Sequence, residues 1–94
     1  MITDVDMFLK KAKKAVIIGY PSFDGGLGVN ENDLYIVWFS KTLENWKALV
    51  STDVVKDVYF EVTYDGAKKH AYVDMYHKKG QVIVSDQNIK YHTN

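Results

Sequence analysis

Glu61 and His70 are the residues whose types could do acid–base chemistry, with the carboxylate orienting the imidazole as a general base. They flank Tyr64-Asp65-Gly66-Ala67, where Asp-Gly between two alternating runs specifies a two-residue hairpin turn. That turn sets Thr63 opposite Lys68, Glu61 opposite His70, Phe60 opposite Ala71, Tyr59 opposite Tyr72 and Asp57 opposite Asp74. A carboxylate facing an imidazole across two strands is also an ordinary stabilising pair, worth roughly 0.2–1 kcal/mol. No nucleophile or set of oxyanion donors accompanies it, so the structural reading is preferred and no catalytic residue is assigned. His70 and His77 are seven positions apart on an extended strand, so they face opposite ways, and His92 lies in the tail. Neither a metal site nor a cofactor is expected.

The same register sorts the other side chains. Val58, Phe60, Val62, Ala71, Val73 and Met75 share one face, which suits a core. The opposite face is a candidate binding face: Tyr59, Glu61, His70, Tyr72, Asp74 and Tyr76, with Thr63 among them. Tyrosines on a sheet can stack nucleic-acid bases. They also suit a protein interface, where aromatic residues are enriched. Glu61 and Asp74 sit among these tyrosines, and only Lys68 and Lys78 flank them with positive charge. Contact with another protein, or with a second copy of the chain, is therefore preferred over nucleic acid.

A helix, a loop and strands must position this face. Val5, Phe8, Leu9, Ala12, Ala15 and Val16 recur at three- and four-residue steps, predicting an amphipathic helix over about residues 3–18. Thr3 and Asp6 have capping-box spacing, and Gly19 and Pro21 are expected to end the helix. Lys10, Lys11, Lys13 and Lys14 are read as its solvated face rather than as a membrane-binding stripe. Residues 20–33 read as a Gly-rich loop. Gly25, Gly26 and Gly28 lack the preceding strand and the Lys-Ser/Thr pair of a phosphate loop. Asp24, Asn30, Glu31, Asn32 and Asp33 lack the spacing of a calcium loop, so a plain connection is expected. From Leu34 the period becomes two, and Leu34 to Ser40 read as a well-buried strand. Residues 47–52 read as the next strand, although Leu43, Trp46, Leu49 and Val50 also fit a short helix after Thr42. Residues 81–84 could add a last strand, before a polar tail over 85–94.

Composition narrows the classes. The 94 residues suit one domain, and 47% hydrophobic with 14% aromatic content supplies a core without staples. All 12 basic residues are Lys and balance 12 acidic ones, so no net field draws the chain to nucleic acid or an anionic membrane. With no Arg, the bidentate fork for phosphates and guanine edges is missing. With no Cys, there is no disulfide framework, thiolate nucleophile or Cys-ligated zinc. Neither an apolar run of membrane-spanning length nor a signal-peptide order is present, and a soluble, intracellular domain is expected.

The run from Val37 to Thr52 contains Val-Trp-Phe-Ser-Lys-Thr-Leu-Glu-Asn-Trp-Lys-Ala-Leu, and Tyr59 to Lys69 read Tyr-Phe-Glu-Val-Thr-Tyr-Asp-Gly-Ala-Lys-Lys. With Tyr72 to Lys79, these segments make the chain similar to a family of small phage and prophage proteins of Gram-positive bacteria, of unknown function. The resemblance spans roughly residues 34–79; the first 33 residues and the tail lie outside it. It implies a phage origin and action in the cytoplasm of a bacterial host, with no catalytic residues to carry across. The expectation is an α+β domain, an N-terminal helix packed on a four- or five-stranded antiparallel β-meander. Its expected role is non-enzymatic protein binding, with nucleic-acid or nucleotide binding as the alternative.

Overall fold

The computed structural model describes residues 4–24 and 28–90. Helix α1 (Asp4–Asp24) is followed by a 3-10 turn (Glu31–Asp33) and four strands. These are β1 (Leu34–Thr42), β2 (Asn45–Thr52), β3 (Val58–Asp65) and β4 (His70–His77); a short helix, α2 (Asp86–Ile89), comes last. The strands form one antiparallel sheet in the order β1-β2-β3-β4, a meander with α1 on one face. The chain is thus an α+β fold with four strands. Residues 81–84 form no fifth strand. Thr3, with the capping box expected there, lies outside the described residues.

Helix α1 buries Ala12, Val16 and Tyr20, a spacing of four that keeps one stripe on the sheet. It runs past Gly19 and Pro21, which the sequence marks as its end. Pro21 removes one intrahelical bond, but Tyr20 is 2% exposed and meets the Phe60 ring edge-on at 5.7 Å. Tertiary packing thus carries the helix through residues of poor propensity. Residues 20–24, read as loop, are helical; Gly25 and Gly26 lie outside the described residues, and residues 31–33 of the connection form the 3-10 turn. The Asp33 carboxylate accepts the Asn30 N–H at 2.8 Å, and the Thr52 hydroxyl donates to the Asp33 carbonyl at 2.6 Å. The second bond satisfies Thr52, which is buried beneath this connection.

The core lies between α1 and the inner face of the sheet: Leu34, Trp46, Ala48, Val50, Val58, Phe60 and Val62 are all buried. Residues 43–50 form a hairpin, not a helix. Thr42 pairs with Asn45 across a two-residue turn in which Leu43 has φ 57°. Phe8, Phe39, Trp46 and Tyr64 form a continuous aromatic cluster, and Trp46 stacks on Tyr64 at 5.2 Å.

The second hairpin departs from its expected turn. Asp65 pairs with His70, so residues 66–69 form a four-residue loop instead of a two-residue turn. The Asp65 carboxylate accepts the N–H groups of Ala67 and Lys68, at 3.0 and 3.2 Å, and Lys69 takes φ 56°. Gly66 serves another purpose. It donates its N–H to Asn45 Oδ1 at 2.8 Å, and a Cβ there would overlap the backbone of Glu44. The glycine lets the two hairpin ends touch.

Candidate functional site

The register change moves every cross-strand pair but preserves the two faces. Tyr59 pairs with Tyr76, Glu61 with Asp74 and Thr63 with Tyr72. The partner of each β3 residue shifts by an even number of positions, and strand side chains repeat every two. Tyr59, Glu61, His70, Tyr72, Asp74 and Tyr76 therefore share the outer face, as expected. The Glu61–His70 pair does not form. His70 stands opposite Asp65, four residues along β4 from the position facing Glu61, or ~13 Å by strand rise. The Glu61 carboxylate instead meets the Lys47 ammonium at 3.5 Å. Both partners are partly exposed, so this ion pair contributes little stability.

Among the described residues no element covers this outer face: helix α1 packs on the other side. Its residues continue across β1 and β2, which the hairpin pattern by itself does not reveal. Tyr35 pairs with Ser51 and Ser51 with Tyr59, making a row that ends at Tyr76. Trp38, Leu49, Glu61 and Asp74 form the next row, and Ser40, Lys47, Thr63 and Tyr72 a third. Trp38 is 48% and Val37 60% exposed, so β1 is not the well-buried strand expected. The register shifts between Ile36 and Trp38, a β-bulge at Val37 that turns both side chains outward. Only this break puts Trp38 on the same face as the tyrosines. Alternation alone would have placed it with Leu34 and Ile36.

Tyr59 and Tyr76 stack with centroids 5.1 Å apart and planes 12° from parallel. The Tyr76 hydroxyl is held above the ordinary tyrosine value of 10.0, first by the Glu61 charge, then by burial, Asp74 and Tyr59. The aromatic end of the face therefore sits in a locally negative field. Towards the hairpin ends, Trp38 and Tyr72 flank an open depression of about 420 Å³. Ser40, Lys47, Thr63 and Asp65 line it between them, presenting hydroxyl, ammonium and carboxylate groups. Such a surface can hold an apolar side chain between two rings and meet polar groups at its base.

Among the described residues, no group of three or more His, Asp or Glu could hold a metal ion. His70 and His77 fall on opposite faces of β4, in register with Asp65 and Val58. His92 lies outside the described residues. No helix among them is long and apolar enough to cross a membrane.

No curated protein and no solved structure matches the sequence. A family model does match, over residues 9–86, and so takes in most of α1 as well as the sheet. The match thus extends beyond residues 34–79 into the helix. The chain belongs to the family described as a family of unknown function (DUF6275).

Proposed function

We propose that this is a non-enzymatic protein-binding module that presents its outer sheet face to another protein. One observation carries the reading: among the described residues the four-stranded sheet is packed on one side only, and the open side is aromatic. Tyr35, Trp38, Tyr59, Tyr72 and Tyr76 are each between 40% and 48% exposed there. Antiparallel sheets commonly leave one face to solvent, but that face is then usually polar. Aromatic residues are enriched where proteins meet, and a few of them carry most of the binding energy. The negative field at Tyr59 and Tyr76 repels phosphate, which supports a protein partner over nucleic acid. The motif resemblance adds an origin to the proposal: a phage or prophage protein acting on a host or phage protein in the bacterial cytoplasm.

The test uses tagged chain in a bacterial lysate, beside the Trp38→Ala/Tyr72→Ala double variant. A protein retained by the wild type and lost with the variant is then purified, and its affinity for both is measured. Equal binding by both would remove the sheet face from the proposal. Binding of single-stranded nucleic acid that weakens steeply as salt rises would favour the nucleic-acid alternative.

A further inference from the structure

The chain beyond β4 leaves consecutive apolar side chains in solvent. Val82, Ile83 and Val84 are 86%, 92% and 55% exposed, and Ile89 is 62% exposed. Three β-branched residues in a row favour a strand, yet residues 78–85 pair with no strand. The Lys78 N–H donates to the Asp57 carbonyl at 2.7 Å, continuing the register of β4 by one residue. This bond takes the chain past Val58, the first residue of β3, and residues 79–85 beyond it join no strand. The result is an arm. The radius of gyration is 16.3 Å, against about 12 Å for a compact chain of this length.

The two sheet edges are not alike. The β1 edge carries the Val37 bulge and Lys41, both devices that discourage pairing with another strand. The β4 edge runs from His70 to His77 with regular pairing to β3 and has no Pro or Lys. Beside it lies an apolar cleft of about 430 Å³ between α1 and β4. Ile18, Gly19 and Phe23 line one side, and Ala71 and Val73 the other. Ile18 is 70% and Phe23 42% exposed. A neighbouring hollow shares Ile18 and Ala71 and adds Lys11, Lys14 and Lys69, together with Trp46, whose buried indole N–H has no acceptor among the described residues.

We infer that residues 81–85 of one copy add antiparallel to the β4 edge of a second copy, with α2 following at the end of the added strand, forming a two-fold dimer by arm exchange. Alternation along the added strand lays Val82 and Val84 in the cleft against Ile18 and Phe23. It sets Ile83 on the outer side, beside Tyr72 and Tyr76. The antiparallel sense runs the arm toward the His70 end of β4. Asp86 then arrives at Lys11, Lys14 and Lys69, so the charges complement one another. Arm and cleft belong to the same chain, so the exchange is reciprocal and the assembly closes. The outer face stays open, and this inference stands or falls apart from the proposed function.

Two measurements on the full chain test it. Sedimentation equilibrium is expected to give a dimer whose dissociation constant rises roughly 100-fold in Val82→Asp/Val84→Asp, about the loss of one interface hot spot. Both positions are exposed in the single chain, so the helical circular dichroism should not change. A monomer at every concentration, or a dimer indifferent to these changes, overturns the inference. The chain has no cysteine among its described residues or elsewhere in its sequence, so Ile18→Cys/Val82→Cys supplies the only thiols. Mild oxidation should yield dimers with position 18 of one chain joined to position 82 of the other. A disulfide within one chain would mean that the arm closes on its own β4, and absence of this linkage would mean that it docks elsewhere. Either result overturns the exchange.

Discussion

Tyr76 reports the field at the candidate face. Glu61 is the largest cause of its raised hydroxyl pKa, so Glu61→Gln should bring the tyrosinate absorbance titration of this group down toward 10.0. The sign for stability follows. A phenol harder to ionise in the folded than in the unfolded chain supports the fold below pH 10.0. That support is lost as pH rises through the folded-state value, so Glu61→Gln should flatten the alkaline decline. No change in the titration would mean that Glu61 lies outside the field of Tyr76. Gly66 makes a second residue-scale prediction. A Cβ there meets the Glu44 backbone, so Gly66→Ala should destabilise the fold by about 1–3 kcal/mol in chemical denaturation. Gly80 has nothing within 4 Å of its missing Cβ, and Gly80→Ala should stay within about 0.5 kcal/mol of wild type. Equal effects would show that backbone freedom, not the close approach, governs Gly66.

Among the elements, α1 shows why punctuation residues mislead. Gly19 ends a helix only where no neighbour rewards its continuation, and here Tyr20 packs on Phe60 beyond it. A Cβ at Gly19 would lie 3.5 Å from Val73 Cβ, an ordinary contact. Gly19→Ala should therefore raise stability by about 0.5–1 kcal/mol and the melting temperature with it. A loss instead would mean that the helix and β4 approach too closely for a methyl group. The β3–β4 hairpin was legible as two strands with a core face and a tyrosine face. Its pairing was not, because Asp65 builds a turn from its own side chain that Asp-Gly alone does not announce. The β1–β2 turn was less legible still, since Leu43 holds a positive φ with none of the usual turn chemistry.

For the whole molecule, the sheet divides stability from recognition. Phe60 is fully buried between sheet and helix, and Phe60→Ala should cost about 3–5 kcal/mol. Trp38 and Tyr72 stand on the open face, so Trp38→Ala and Tyr72→Ala should each cost less than about 1 kcal/mol. Comparable losses at Phe60 and Trp38 would show that the outer rings help hold the fold, and would weaken their assignment to a binding surface.

Local pattern was enough to place one N-terminal helix ahead of an antiparallel sheet and to sort which side chains of β3 and β4 share a face. It left the end of the helix, residues 43–50 and a fifth strand to be decided. The two periods, 3.6 and two, survive any register shift by an even number of residues. The tertiary structure alone decided which residues meet: Lys47 rather than His70 beside Glu61, and Trp38 on the tyrosine face. It also decided that, among the described residues, the second face is uncovered and residues 78–85 form no strand. These outcomes depend on one bulge, one Asp side chain in a turn and the limited width of a single helix. Such features trade local propensity against contacts distant in sequence, and composition and periodicity do not encode that exchange.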